Sequence, residues 1–150
     1  MKRILIYIMI LAAVTLIPLE RTDVGKLRPV ETVSITREGG AYVIATDTGD
    51  EGRGADPVQA LQDLIQTTPG VIYLDTARFI LVGKDAEDSL VTLRPYLSGS
   101  AKLFSVRGMP DLESASRYLQ IHGNGPKLKA WKSGVKLPVF ASNDNNFRAL

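Results

Sequence analysis

The chain has 150 residues, 45% of them hydrophobic and 23% charged, with eighteen lysines and arginines, sixteen acidic residues and no cysteine. That is enough chain to bury one core, and it is too apolar for an intrinsically disordered polypeptide. The missing cysteine excludes disulfides, thiolate metal sites, a thiol nucleophile and a lipid-anchoring cysteine, and the near balance of charge gives no ground for a nucleic-acid partner.

Lys2 and Arg3 precede an apolar run from Ile4 to Ile17, closed by Pro18, Leu19 and Glu20. Cations ahead of a hydrophobic segment read as an export signal whose charged end stays in the cytoplasm. No small-residue cleavage site follows the run, so retention as a membrane anchor is expected, with a cut near Ala13 or Pro18 as the alternative. The sixteen residues from Ile4 to Leu19 make a helix of about 24 Å, short against a hydrocarbon core of roughly 30 Å. Lys2, Arg3 and Arg21 can snorkel to make up the difference. The expected organisation is an anchor over 1–20, one extracytoplasmic domain over 21–141 and a disordered tail over 142–150.

Within the domain, Pro29 to Thr36 reads as a strand with partly apolar faces. Glu38, Gly39 and Gly40 supply the positive backbone angles of a tight hairpin, and AYVIATDT returns as its partner. The stretch from Gly49 to Gly54 is polar and glycine-rich, and reads as an exposed loop. Asp56 and Pro57 start a helix, with Val58, Leu61, Leu64 and Ile65 on one face and Thr68, Pro69 and Gly70 ending it. RFILVG from Arg78 to Gly83 is a continuous apolar strand. Asp85 is positioned to cap a second helix carrying Leu90, Leu93 and Leu97, whose end Pro95 perturbs.

KLFSVRG supplies another strand. Pro110 and Asp111 open a third helix with Leu112, Ala115 and Leu119 inward and Gly123 beyond its end. A last strand is expected between Val135 and Ala141. The reading is an α/β fold in which an antiparallel N-terminal hairpin joins parallel β-α-β crossovers in one mixed sheet. About three helices complete it, and a hydrophobic N-terminal helix precedes it.

This element order and three stretches, PVETVSIT, DPVQALQDLIQ and IYLDTARFILVGKDA, resemble the N-terminal domain of the C subunits of spore germinant receptors, the Ger(x)C family. The likeness spans roughly Asp23 to Gly108, with Tyr73, Phe79 to Val82, Gly83 and Asp85 matching the family's aromatic segment, apolar strand and acidic end. It implies an extracytoplasmic, membrane-attached, non-enzymatic partner of integral-membrane receptor subunits or other envelope proteins. Two departures stand out. The acylated cysteine has no counterpart, which leaves attachment to the segment between Ile4, Ile17 and Leu19, and the family's further domains are absent from this sequence.

No residue pattern announces catalysis, a cofactor or a metal. His122 is the sole histidine and sits at a helix end, where it is expected to meet the last carbonyls. Asp47, Asp50 and Glu51 match no full calcium-loop spacing and read as surface charge. HGNGPK, from His122 to Lys127, reads as a turn. Two alternatives to a binding protein remain open: an envelope-polymer hydrolase using carboxylates such as Glu31, Asp47 or Asp75, and a polyanion-binding module. From Glu20 to Ala101 there are thirteen acidic and eight basic residues, and from Lys102 onward three and eight. Lys127, Lys129, Trp131, Lys132 and Lys136 in that basic part form the candidate polyanion or partner surface.

Overall fold

The structure is a computed structural model that describes residues 27–108, 111–143 and 146–149. The anchor expected over 1–20 therefore lies outside the described residues. Among those described, no helix is long and apolar enough to cross a membrane.

A three-residue strand, β1 (Leu27–Pro29), comes first, followed by β2 (Thr32–Glu38) and β3 (Ala41–Thr46). Gly39 and Gly40, at φ 57° and 88°, form the two-residue turn between β2 and β3, and Glu38 stands opposite Ala41 across it. Only residues that tolerate positive φ at both positions close such a turn with the twist that paired strands need. β4 (Glu51–Gly54) then pairs antiparallel with β3. Four of the six residues read as an exposed loop, Glu51 to Gly54, are therefore an edge strand.

Asp56 caps α1 (Pro57–Thr67), its Oδ1 accepting from the amides of Val58 and Gln59 at 2.9 Å. Ala60, Leu61 and Leu64 are buried, while Ile65 faces solvent. β5 (Val71–Tyr73) pairs in parallel with β1, away from the main sheet, and leads through a 3-10 turn to β6 (Phe79–Gly83). The next helix, α2 (Ser89–Leu93), starts four residues after Asp85, which lies instead in a preceding 3-10 turn. Pro95 converts its end to a 3-10 turn, as expected of a residue without an amide hydrogen, and Leu90, Leu93 and Leu97 are all buried.

β7 (Lys102–Val106) is followed by α3 (Leu112–His122), which Asp111 caps through the amide of Glu113. β8 (Val139–Asn143) and β9 (Asn146–Ala149) form a hairpin, so the sheet continues into the stretch read as a tail.

The main sheet has seven strands in the order β4-β3-β2-β6-β7-β8-β9. β2, β6, β7 and β8 are parallel, and the outer strands on both sides run antiparallel to their neighbours. The α/β mixed-sheet architecture read from the sequence is the one observed. Val33, Ile35, Ile44, Ile80, Val82 and Leu103 pack with α1 and α2 on one face, joined by Leu128, Trp131 and Leu137. Phe79, Leu81, Phe104, Val106 and Phe140 pack with Leu112, Ala115 and Leu119 of α3 on the other. Covering both faces explains the continuous apolar runs of β6 and β7.

β2 departs from that rule. Thr32, Ser34 and Thr36 point to the α3 side of the sheet, buried and with no hydrogen-bond partner for their hydroxyls among the described residues.

Candidate functional site

The chain leaves β6 toward the face that carries α2 and leaves β7 toward the face that carries α3. Divergence of successive connections to opposite faces opens a crevice beyond the carboxyl ends of parallel strands, the usual place for a ligand in an open α/β sheet. Two adjoining depressions occupy that rim. One, of about 260 Å³, lies between Thr36–Glu38, Gly83–Asp85 and Val106–Gly108. The other, of about 350 Å³, runs from Lys84, Glu87, Ser105 and Arg107 to Val135, Lys136 and Leu137.

Lys84 and Arg107 belong to both depressions. With Arg37 and Lys136 they set four cations beside Glu38, Asp85 and Glu87. Arg37 is held by stacking on the Tyr42 ring at 4.9 Å, and Tyr42 in turn donates its hydroxyl to Asp88 at 3.0 Å. Burial and that carboxylate push the Tyr42 phenol up. At the floor lies the unpartnered hydroxyl of Thr36. Exposed lysine, arginine and carboxylate groups of this kind suit recognition of a charged partner by ion pairing and hydrogen bonding.

The carboxylates singled out from the sequence lie away from this rim. Glu31 sits where β2 begins. Its Oε1 accepts from Arg78 at 3.0 Å and its Oε2 from Gln120 at 2.6 Å, which ties the starts of β2 and β6 to α3. Its backbone amide is taken by the Asp47 carboxylate, at 3.2 and 3.3 Å. Desolvation raises the affinity of Asp47 for its proton, an effect that backbone hydrogen bonds from Thr32 and Glu31 oppose and the nearby Glu31 charge adds to. Asp75 lines a separate groove. The structure thus brings Glu31 and Asp47 together as a strand-start clamp and leaves Asp75 apart from them.

Asp50 pairs with Arg28 at 3.0 Å, and Glu51 pairs with Arg53 at 2.6 Å. Asp47, Asp50, Glu51, Asp111 and Glu113 line one acidic groove, yet among the described residues no group of three or more ligand side chains is placed to hold a metal ion.

One member of the candidate lysine surface is not at the surface. Trp131 is buried among the core residues, its indole Nε1 donating to the Val135 carbonyl at 3.3 Å, so it is a core anchor and not an exposed platform. Lys129 lies beside Gly99, before β7, whereas Lys136 lines the rim beyond the end of β7. Lys127 and Lys132 are exposed. His122 stacks on Tyr118 with ring centroids 4.7 Å apart, and the last turn of α3 is met by Lys102, whose Nζ donates to the Gly123 carbonyl at 2.6 Å.

A feature without a sequence signal of its own is an open apolar groove of about 320 Å³ between α1, β5 and the turn after α2. Ile65, Val71, Tyr73 and Tyr96 line it with 54%, 47%, 40% and 49% of their surfaces exposed. Residues 31 positions apart contribute to it, so no local pattern in the sequence marks it. Comparisons with protein-family models, curated proteins and solved structures found no match to this chain.

Proposed function

We propose that the chain is a membrane-tethered, extracytoplasmic binding protein without catalytic activity, an accessory component of a spore germination receptor or spore envelope complex. The basic and apolar leader and the likeness to germinant-receptor C subunits support the membrane and the partner class. The observation that carries the reading is the polarity of the domain. β1, the first described element after the leader, adjoins the end of the sheet where the parallel strands begin, and the charged crevice opens where they finish. A tether at one end holds the opposite rim away from the bilayer and raises its effective concentration beside the outer parts of integral-membrane subunits.

Affinity capture of the full chain from sporulating cells tests this. The wild type is expected to recover multi-pass membrane subunits, and the double variant Lys84→Glu, Arg107→Glu to recover several-fold less while melting at the same temperature. Recovery of ribosomal and soluble background alone, or recovery indifferent to the two charge reversals, would remove the proposal.

A further inference from the structure

Resting on that tethered reading, we infer that the apolar groove formed by Ile65, Val71, Tyr73 and Tyr96 lies on the bilayer surface and seats the domain there. Three independent observations converge on this occupant.

The first is reach. Seven residues, Glu20 to Lys26, separate the end of the apolar leader from β1, and fully extended they span about 28 Å at most. A domain of roughly 120 residues is about 35 Å across, so such a tether keeps the attached end within less than one domain diameter of the membrane. Leu27 stands directly opposite Val71 in the β1–β5 pairing, one strand spacing of about 4.8 Å away. The groove is therefore the part of the described surface next to the point of attachment.

The second is composition. Two tyrosines and two aliphatic side chains, each at least two-fifths exposed, meet in one depression, with Pro95 beside them. Tyrosine with an apolar body and a polar tip is the side chain that settles at the level of lipid headgroups. Scattered apolar residues on a surface need no explanation, but four sharing a groove do.

The third is charge. Arg94 directly precedes Pro95 and Tyr96 of the groove, and its exposed guanidinium donates at 2.7 Å to the backbone carbonyl of Lys129, itself an exposed residue. Neither has an ion-pair partner among the described residues. Asp75 is the opposing charge at the groove. Cations beside an apolar, tyrosine-bearing patch match an anionic bilayer surface.

The absence of cysteine from the sequence makes single-cysteine labelling clean. The full chain is reconstituted into vesicles of phosphatidylcholine and phosphatidylglycerol, carrying an environment-sensitive fluorophore at Tyr73→Cys, Tyr96→Cys or, as a control on α3, Ile121→Cys, where the native side chain is 79% exposed. Labels at positions 73 and 96 are expected to resist aqueous iodide several-fold better than the label at 121 and to be quenched by brominated lipid. Adding Ile65→Glu should restore iodide quenching at position 73 while the chain stays on the vesicles. If the vesicles carry the chain and all three labels behave alike, the groove does not face lipid and the tethered reading stands without it. Protection from iodide without quenching by brominated lipid means that a protein surface, such as a second copy, fills the groove, which also overturns the inference. A chain that fails to float with the vesicles removes the tether, and the seating with it.

Discussion

Asp47 shows how one half-buried carboxylate ties pH to stability. Its oxygens accept the Glu31 amide, which favours the charged form, but desolvation is the larger effect and raises its proton affinity in the folded protein. As pH rises from the ordinary value of 3.8, the unfolded chain ionises at this position first. The stabilisation present below that value is then lost as pH passes through the raised folded value. Asp47→Asn keeps an oxygen for the Glu31 amide and has no proton to lose. Urea midpoints of variant and wild type measured from pH about 3 to 7 should therefore diverge in favour of the variant as pH rises. Parallel curves would mean that burial does not govern this group. Trp131 makes a different point at the same scale. Four lysines within a few positions of it made it read as surface, whereas its large ring fills the core between Leu128 and Leu137. Charge density along a chain reports where side chains can be solvated, not which way an intervening ring turns.

At the scale of elements, the close packing of a helix on an edge strand depends on missing side chains. α1 lies directly on β4. A Cβ at Gly52 would come within 2.3 Å of the Leu64 nitrogen, and one at Gly54 within 2.3 Å of the Ala60 nitrogen. Backbone cannot yield as the tip of a side chain can. Gly54→Ala is expected to lower stability by about 2–3 kcal/mol, read as a drop in denaturant midpoint with little change in slope. Arg53→Ala between the two glycines should leave the denaturant midpoint close to that of wild type, because the Arg53 side chain is exposed. The same glycines explain why β4 escaped the sequence reading. They signal a loop locally, and their use as a bed for a helix exists only in the packed structure. The hairpin at Gly39 and Gly40 and the Asp56–Pro57 start of α1 were legible because each signal is complete within two or three residues. β1 and β5 were not, since three-residue strands acquire their identity from each other across more than forty positions. β4 is also an edge strand, and its Arg53 amide is taken by the Asp63 carboxylate at 2.8 Å. That contact, with Glu51 and Arg53 outward, guards the edge against pairing with other chains.

Across the whole molecule, the acidic and basic parts of the chain keep their ion pairs to themselves among the described residues. Arg28, Arg53 and Arg78 pair with carboxylates from the acidic part, and Arg117 pairs with Glu113 within the basic part. The small net charge conceals a rim of mixed charge at one end of the parallel strands and an oily groove at the other, two surfaces suited to different neighbours. The separate β1–β5 ribbon gives this polarity a mechanical side. A pull applied to β1 along the chain acts on a three-residue ladder whose strand pairing is separate from the seven-stranded sheet. That ladder is the weak link ahead of a strong one. In single-molecule stretching from the two termini, a short low-force yield should precede main-sheet rupture, and Thr76→Val, which removes the hydroxyl bonded to both the amide and the carbonyl of Val30, should lower its force. Rupture in one step, without the early yield, would show that the ribbon and the sheet bear load together. A fuse of this kind lets jolts along the chain be absorbed and healed while the rim keeps its shape.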